Sequence, residues 1–206
     1  MKPFPKRLKL ADLPTRIEKL ERFSERTGLN VYVKRDDMSG MEWSGNKIRK
    51  LEFSIQEALD RGADTLITCG GIQSNHCRAT AAAAARLGLR SCLLLRTDDP
   101  DPLLDGNYFI DKVLGADIRF ISAEDYRSRR GEVMEELAGE FERQGHKAYI
   151  IPEGASNGIG TFGYLSCMQE ILQQEKEMGV QFDTIVDAVG SGGTLAGLVL
   201  ANRLYG

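Results

Sequence analysis

Lys47 lies in Ser44-Gly45-Asn46-Lys47-Ile48-Arg49-Lys50-Leu51, between a β-branched run and an apolar helix face. Upstream, Val31-Tyr32-Val33-Lys34 reads as strand and Arg35 to Gly40 as turn. Downstream, Ile48, Leu51 and Ile55 share one face at helical spacing. Ser44 is the expected N-cap, which puts Lys47 in the first helical turn. Acids favour that turn because the helix dipole is positive there. Arg49 and Lys50 add positive charge. All three influences disfavour the ammonium form and lower the Lys47 pKa, the state a lysine needs to attack a carbonyl. A solvated basic helix start fits the same eight residues, so this stretch does not decide alone.

Two more loops follow apolar strands and precede helices, where ligands bind in open parallel α/β sheets. In Gly70-Gly71-Ile72-Gln73-Ser74-Asn75-His76, the glycines let backbone approach a ligand. Ser74 and Asn75 offer a hydroxyl, an amide and backbone N–H groups to a carboxylate or phenolate oxygen. A plain turn with Asn75 as N-cap is the competing reading. His76 by itself reads as structural, and Cys77 as core. Gly190-Ser191-Gly192-Gly193-Thr194 exposes several N–H groups at a helix start, a cradle for phosphate, with the Thr194 hydroxyl beside it. No Gly-Lys-Ser/Thr follows, so it is not a P-loop. Leu195 stands where a dinucleotide fingerprint needs its third glycine. A single phosphate fits best. A carbonyl-reactive lysine, a ring-oxygen or carboxylate clamp and a monophosphate seat are together what pyridoxal phosphate requires.

The elements that position these loops alternate. Helices are expected over about Arg16–Thr27, Lys47–Arg61, Arg78–Leu87, Asn107–Leu114, Ala123–Gln144, Gly163–Met178 and Thr194–Tyr205. Strands are expected at Val31–Lys34, Thr65–Cys69, Ser91–Arg96, Ile118–Ile121, Ala148–Ile151 and Thr184–Val189. Short apolar strands alternating with longer helices, without hairpin turns, predict an α/β chain with parallel sheet and helices on both faces. The final helix stops where another strand is due, so the chain is expected to be a fragment or truncated form.

Composition narrows the function. The 206 residues are 42% hydrophobic and 28% charged, with net charge -3, which suits a globular chain and gives nucleic acid or an anionic membrane no basic surface. Neither a secretory h-region nor a bilayer-spanning run is present. Cys69, Cys77, Cys92 and Cys167 form no C-x-x-C, and with two histidines no metal site is expected. They read as reduced thiols of a cytoplasmic protein.

The three loops, with Glu52 and Cys77-Arg78-Ala79-Thr80 beside them, resemble the D-cysteine desulfhydrase / 1-aminocyclopropane-1-carboxylate deaminase family, in order and spacing from near the N-terminus to Gly206. This family belongs to the tryptophan-synthase-β-like, fold type II pyridoxal-phosphate enzymes. The resemblance implies Lys47 as Schiff-base lysine, Asn75 on the cofactor 3′ oxygen, and Gly190, Ser191, Gly192, Gly193 and Thr194 on its phosphate, with Lys50 assisting. It implies Ser74 as a catalytic residue at the substrate carboxylate, with Asn75 and His76 also at the substrate. It implies two open parallel-sheet three-layer (αβα) domains with the cofactor cleft between them. The smaller domain would be residues 49–158, and the larger 1–48 with 159–206, lacking its C-terminal part and with it the pyridine-nitrogen partner. A homodimer acting on a small amino acid is implied as well. His76 after Ser74-Asn75 resembles the desulfhydrase branch, where the other branch carries Gln. The expected reaction is therefore β-elimination of D-cysteine to pyruvate, ammonia and hydrogen sulfide. Opening of the cyclopropane substrate, a non-catalytic cofactor-binding protein, and a plain nucleotide-binding domain are the competing readings.

Overall fold

The computed structural model describes residues 4–205. Met1 to Pro3 of the N-terminal arm, and Gly206 at the end of the resemblance, lie outside them. Two short strands open the fold, β1 (Ile17–Lys19) and β2 (Tyr32–Lys34), with helix α1 (Glu21–Thr27) between them. They pair antiparallel, Glu18 opposite Val33. The single helix expected from Arg16 is therefore a strand followed by a helix. Pairing with β2 overrides the helical preference of three residues, and an antiparallel pair stands where only parallel strands were expected.

The alternating part then follows. Its elements are α2 (Lys47–Asp60), β3 (Thr65–Gly71), α3 (Asn75–Leu87), β4 (Arg90–Arg96), α4 (Gly106–Val113), β5 (Asp117–Ile121), α5 (Ala123–Arg143) and β6 (Ala148–Ile150). The four strands form a parallel sheet in the order β5-β4-β3-β6. Side chains alternate across it. Ile67, Cys69, Cys92 and Leu94 face α5, meeting Met134, Leu137 and Phe141. Leu66 and Ile151 meet Ile48, Leu51 and Ile55 of α2 and the alanines of α3 on the other side, where Leu93 and Leu95 meet Ala81 and Tyr108 of α4. Burying each such large apolar side chain contributes about 1.5–3 kcal/mol. The alanines let α3 lie close to the strands. This is the expected three-layer αβα arrangement around a parallel sheet.

Helices α6 (Gly158–Met178) and α7 (Gly193–Tyr205) pack on each other through Tyr164, Leu165, Met168, Leu198 and Ala201. The strand expected at Thr184–Val189 is absent. These residues carry no ladder, and Ile185, Val186 and Val189 are exposed. A β-branched run becomes a strand only when a neighbour accepts its hydrogen bonds, and no described segment lies alongside. The second parallel sheet is accordingly not formed among the described residues.

Two contacts fix α2, and with it Lys47. Helix α6 crosses it backbone to backbone: a Cβ at Gly163 would lie 2.5 Å from the Arg49 carbonyl oxygen and 2.7 Å from the Lys50 nitrogen. Only glycine permits that approach. Beside it, the Arg49 guanidinium, 1% exposed, donates to both Asp36 oxygens (2.8 and 2.9 Å) and both Glu170 oxygens (2.8 and 2.9 Å). Tyr164 donates to Asp36 at 2.6 Å, and Lys34 pairs with Glu170 at 3.1 Å. Burial pushes the Asp36 carboxyl up, but the Arg49 hydrogen bonds and charge outweigh it and hold Asp36 below the usual carboxylate range.

Candidate active site

The sheet order reverses between β3 and β6. Beyond their carboxyl ends lie the Gly70–Ser74 loop and the turn Glu153–Ala155, and ligands of open α/β sheets bind at such a switch point. The starts of α2 and α7 come to the same place. Asn46 donates through Nδ2 to Thr194 Oγ1 at 2.9 Å, joining two of the sequence motifs directly. Ser156, just past β6, meets Ser191 Oγ at 2.7 Å and accepts the Gly193 N–H at 3.2 Å. The resulting cleft is lined by Asn46, Lys47, Lys50, Asp187 and Gly190 through Thr194. Every lysine and glycine-turn residue expected at a cofactor is in it.

Lys47 is the first residue of α2, as its spacing predicts. The N-cap is Asn46 rather than Ser44, and its side chain makes no cap bond, being turned to Thr194. The Ser44 carbonyl instead accepts from Arg78 of α3 at 3.1 Å. The Lys47 pKa is lowered, chiefly by burial, while Asp187 and Glu153 offset part of the shift. Arg49 contributes nothing to it: its charge is balanced by Asp36 and Glu170. Lys50 is 1% exposed and is pushed down to about 8, first by burial and then by Lys47. Among the described residues no carboxylate forms an ion pair with either lysine. One buried amine and one half-buried amine, neither in an ion pair although Asp187 shares the cleft, lie beside a helix start and its N–H groups and form an anion site.

That arrangement fixes a pH dependence. Sulfate keeps one charge state from pH 7 to 9, whereas Lys50 loses its proton as pH rises through about 8. Sulfate affinity, followed by calorimetric titration, is expected to fall about tenfold between those pH values. A flat profile would show that Lys50 does not meet the anion.

The Gly70–His76 loop divides. Ser74 caps α3, its Oγ accepting the Cys77 N–H at 3.2 Å, so the cap is Ser74 and not Asn75. Asn75 is exposed, and its Oδ1 accepts from Asn107 at 2.9 Å. His76 departs from its expected place at the substrate. It is 2% exposed, with Nε2 2.8 Å from Thr68 Oγ1. Thr68 donates its only hydroxyl proton to the Ile151 carbonyl, so His76 must carry its proton on Nε2. Burial, then Lys47 and Lys50, push it down to about 3, and it stays neutral. The buried ring is not presented to a molecule arriving from solvent. Cys77 is fully buried, as expected, and all four thiols are free and buried.

Sequence reasoning missed Asn46, Ser156 and Asp187. Asp187 lines the cleft, offsets part of the pKa lowering of both lysines, and has one oxygen buried without a partner. It falls in the run read as a strand, where a lone acid among β-branched residues was the available signal. Among the described residues no group of His, Cys, Asp and Glu could hold a metal ion, and no helix is long and apolar enough to cross a membrane.

Comparison with known proteins bears on this cleft. The sequence model of a family described as "Pyridoxal-phosphate dependent enzyme" matches residues 8–206. The chain is 46% identical over 212 residues to the mitochondrial bifunctional D-cysteine desulfhydrase/1-aminocyclopropane-1-carboxylate deaminase of Arabidopsis thaliana, covering 99% of this chain and 53% of that one. It is 42% identical to the D-cysteine desulfhydrase of Serratia proteamaculans, covering 96% of this chain and 60% of that one. The crystal structure of an ACC deaminase homologue superposes with a TM-score of 0.88 at 45% identity, over 96% of this chain and 58% of that one. A fungal L-serine ammonia-lyase from Rhizomucor miehei shares the fold, with a TM-score of 0.70 at 16% identity, over 92% of this chain and 55% of that one. The chain spans little more than half the length of the relatives it matches.

Proposed function

We propose a function from one premise: the chain belongs to the pyridoxal-phosphate dependent enzyme family. It acts on a small amino acid, D-cysteine, which with one water yields pyruvate, ammonia and hydrogen sulfide. The observation that carries this reading is the pair of lysines facing the glycine turn, Lys47 half-buried and Lys50 buried, neither in an ion pair among the described residues. The donor set suits the cofactor: one amine of lowered pKa, one buried ammonium and a run of N–H groups.

When bound, pyridoxal phosphate supplies an aldehyde for a lysine amine and an electron sink for the substrate α-carbon. Lys47 would hold it covalently through Nζ. Lys50, with Gly190, Ser191, Gly192, Gly193 and Thr194, would hold its phosphate, and Asn75 its ring oxygen. The Lys47 Nζ would also serve as base, since its lowered pKa favours the neutral amine that can take the α-proton. Ser74 uses its Oγ lone pair for the helix cap, which leaves its hydroxyl proton free for the substrate carboxylate. Asp187 and Glu153 keep Lys47 from losing its basicity entirely. Buried neutral His76 supports the floor of the cleft through Thr68 and takes no substrate contact. The free thiols suit a reducing compartment, and we place the chain in the cytoplasm.

The Arabidopsis relative's name carries both activities, so the cyclopropane amino acid is the second reading. The purified chain, given the cofactor, should release sulfide and pyruvate from D-cysteine faster than it consumes L-cysteine or the cyclopropane amino acid. Faster release of 2-oxobutanoate from the latter would replace the first reading with the second. A visible cofactor band with no turnover of any of the three would make the chain a binding protein.

A further inference from the structure

Helix α4 is remote in sequence from every motif, yet its first residues lock the loop that carries Asn75. The backbone carbonyl of Gln73 can only accept, so the Asn107 group 2.9 Å from it is the NH2. The second hydrogen of that NH2 reaches the Asn75 side chain at 2.9 Å, which must answer with Oδ1. The Asn75 NH2 is thereby left as its outward-acting group. A second lock works independently. The Asn107 backbone N–H donates to Gln73 Oε1 at 2.7 Å, which assigns Gln73 Nε2 to Asp105 Oδ1 at 2.9 Å. Gly106 makes this possible: it has φ +50°, and a Cβ there would fall 2.4 Å from Gln73 Oε1. The polarity of both side-chain amides thus descends from two backbone groups, which cannot be reversed.

We propose that Asn107 is a positioning residue that fixes which end of the Asn75 amide meets the ligand, so that Asn75 offers a donor and selects an acceptor, the ring oxygen of pyridoxal phosphate. This rests on the reading above that Asn75 touches the cofactor. Asn75 is exposed, and in water a free amide turns over at little cost. The relay removes that freedom before the ligand arrives.

The test measures cofactor dissociation constants by absorbance titration, with thermal midpoints alongside, in the full chain. Asn107→Ala frees the Asn75 amide and should weaken binding about 2–3-fold, whereas Asn107→Asp should weaken it about tenfold. A carboxylate only accepts, so Asp at that position turns the Asn75 amide over and sets Oδ1 against the cofactor oxygen. In an Asn75→Ala background, Asn107→Asp should add no more than about twofold. If the aspartate variant is no weaker than the alanine variant, the relay does not act. If it loses as much in the Asn75→Ala background, its charge repels the phosphate directly and the relay is again overturned. If Asn75→Ala alone binds like wild type, the placement of Asn75 at the cofactor is what fails.

Discussion

Lys47→Ala is expected to lose the visible cofactor band entirely and to cut turnover of D-cysteine by at least about a thousandfold, because both the covalent amine and the base are removed. Phosphate recognition should survive, since Lys50 and the Gly190–Thr194 turn are untouched. The variant also separates the two lysines. Lys47 is one of the causes that hold Lys50 down to about 8, so removing it should move the fall in sulfate affinity to higher pH. A Lys47→Ala chain that keeps its band, and that borohydride still traps on a lysine, would transfer the covalent role to Lys50. Unchanged sulfate binding at every pH would mean that the two amines do not share one anion site.

Arg49→Leu is the second large effect. It leaves Asp36 without its buried counter-charge and Glu170 with Lys34 alone, and is expected to cost about 3–5 kcal/mol of stability near pH 7.5. The sign with pH is opposite in the two proteins. In wild type, Asp36 titrates below its unfolded value, so its contribution is complete above the unfolded pKa and is lost as pH falls through the folded one. In the variant only the Tyr164 and Thr15 hydrogen bonds oppose burial, the largest influence on Asp36, so its pKa rises and acidification relieves an uncompensated charge. Urea denaturation at pH 7.5 and 4.5 should therefore show a deficit that shrinks on acidification. An equal deficit at both pH values would assign the loss to packing alone. The Lys47 helix is anchored by this cluster, so cofactor affinity should fall along with stability.

Some of this was legible in the sequence for local reasons. The strands of the parallel sheet are apolar runs bounded by glycine turns, and α2 to α5 show helical periodicity. Lys47 could be placed at a helix start because Ile48, Leu51 and Ile55 define the helix behind it. Lys50 was harder, since a lysine reads as surface, and its burial follows from the crossing at Gly163, more than 110 positions away by number. β1 escaped because three residues carry too little pattern to outweigh a helical stretch; β2 decides it. Thr184–Val189 has strand composition, but composition supplies no partner. Ser44 looked like a cap, yet the backbone puts Asn46 there and gives its amide to Thr194. The Asn107 relay joins loops that follow different strands, and no local spacing encodes such a meeting.

The hydrogen bond between Asn46 and Thr194 spans 148 positions of chain. Closing a loop of that length costs about 4 kcal/mol of chain entropy, against less for the short β3-to-β4 connection. Strand pairing within the sheet can begin early, from segments close in sequence. The two halves of the cleft meet only when nearly the whole polypeptide has condensed. In kinetic terms the cleft is a late product of folding, and capture of its ligand marks the arrival of the native state rather than a step toward it.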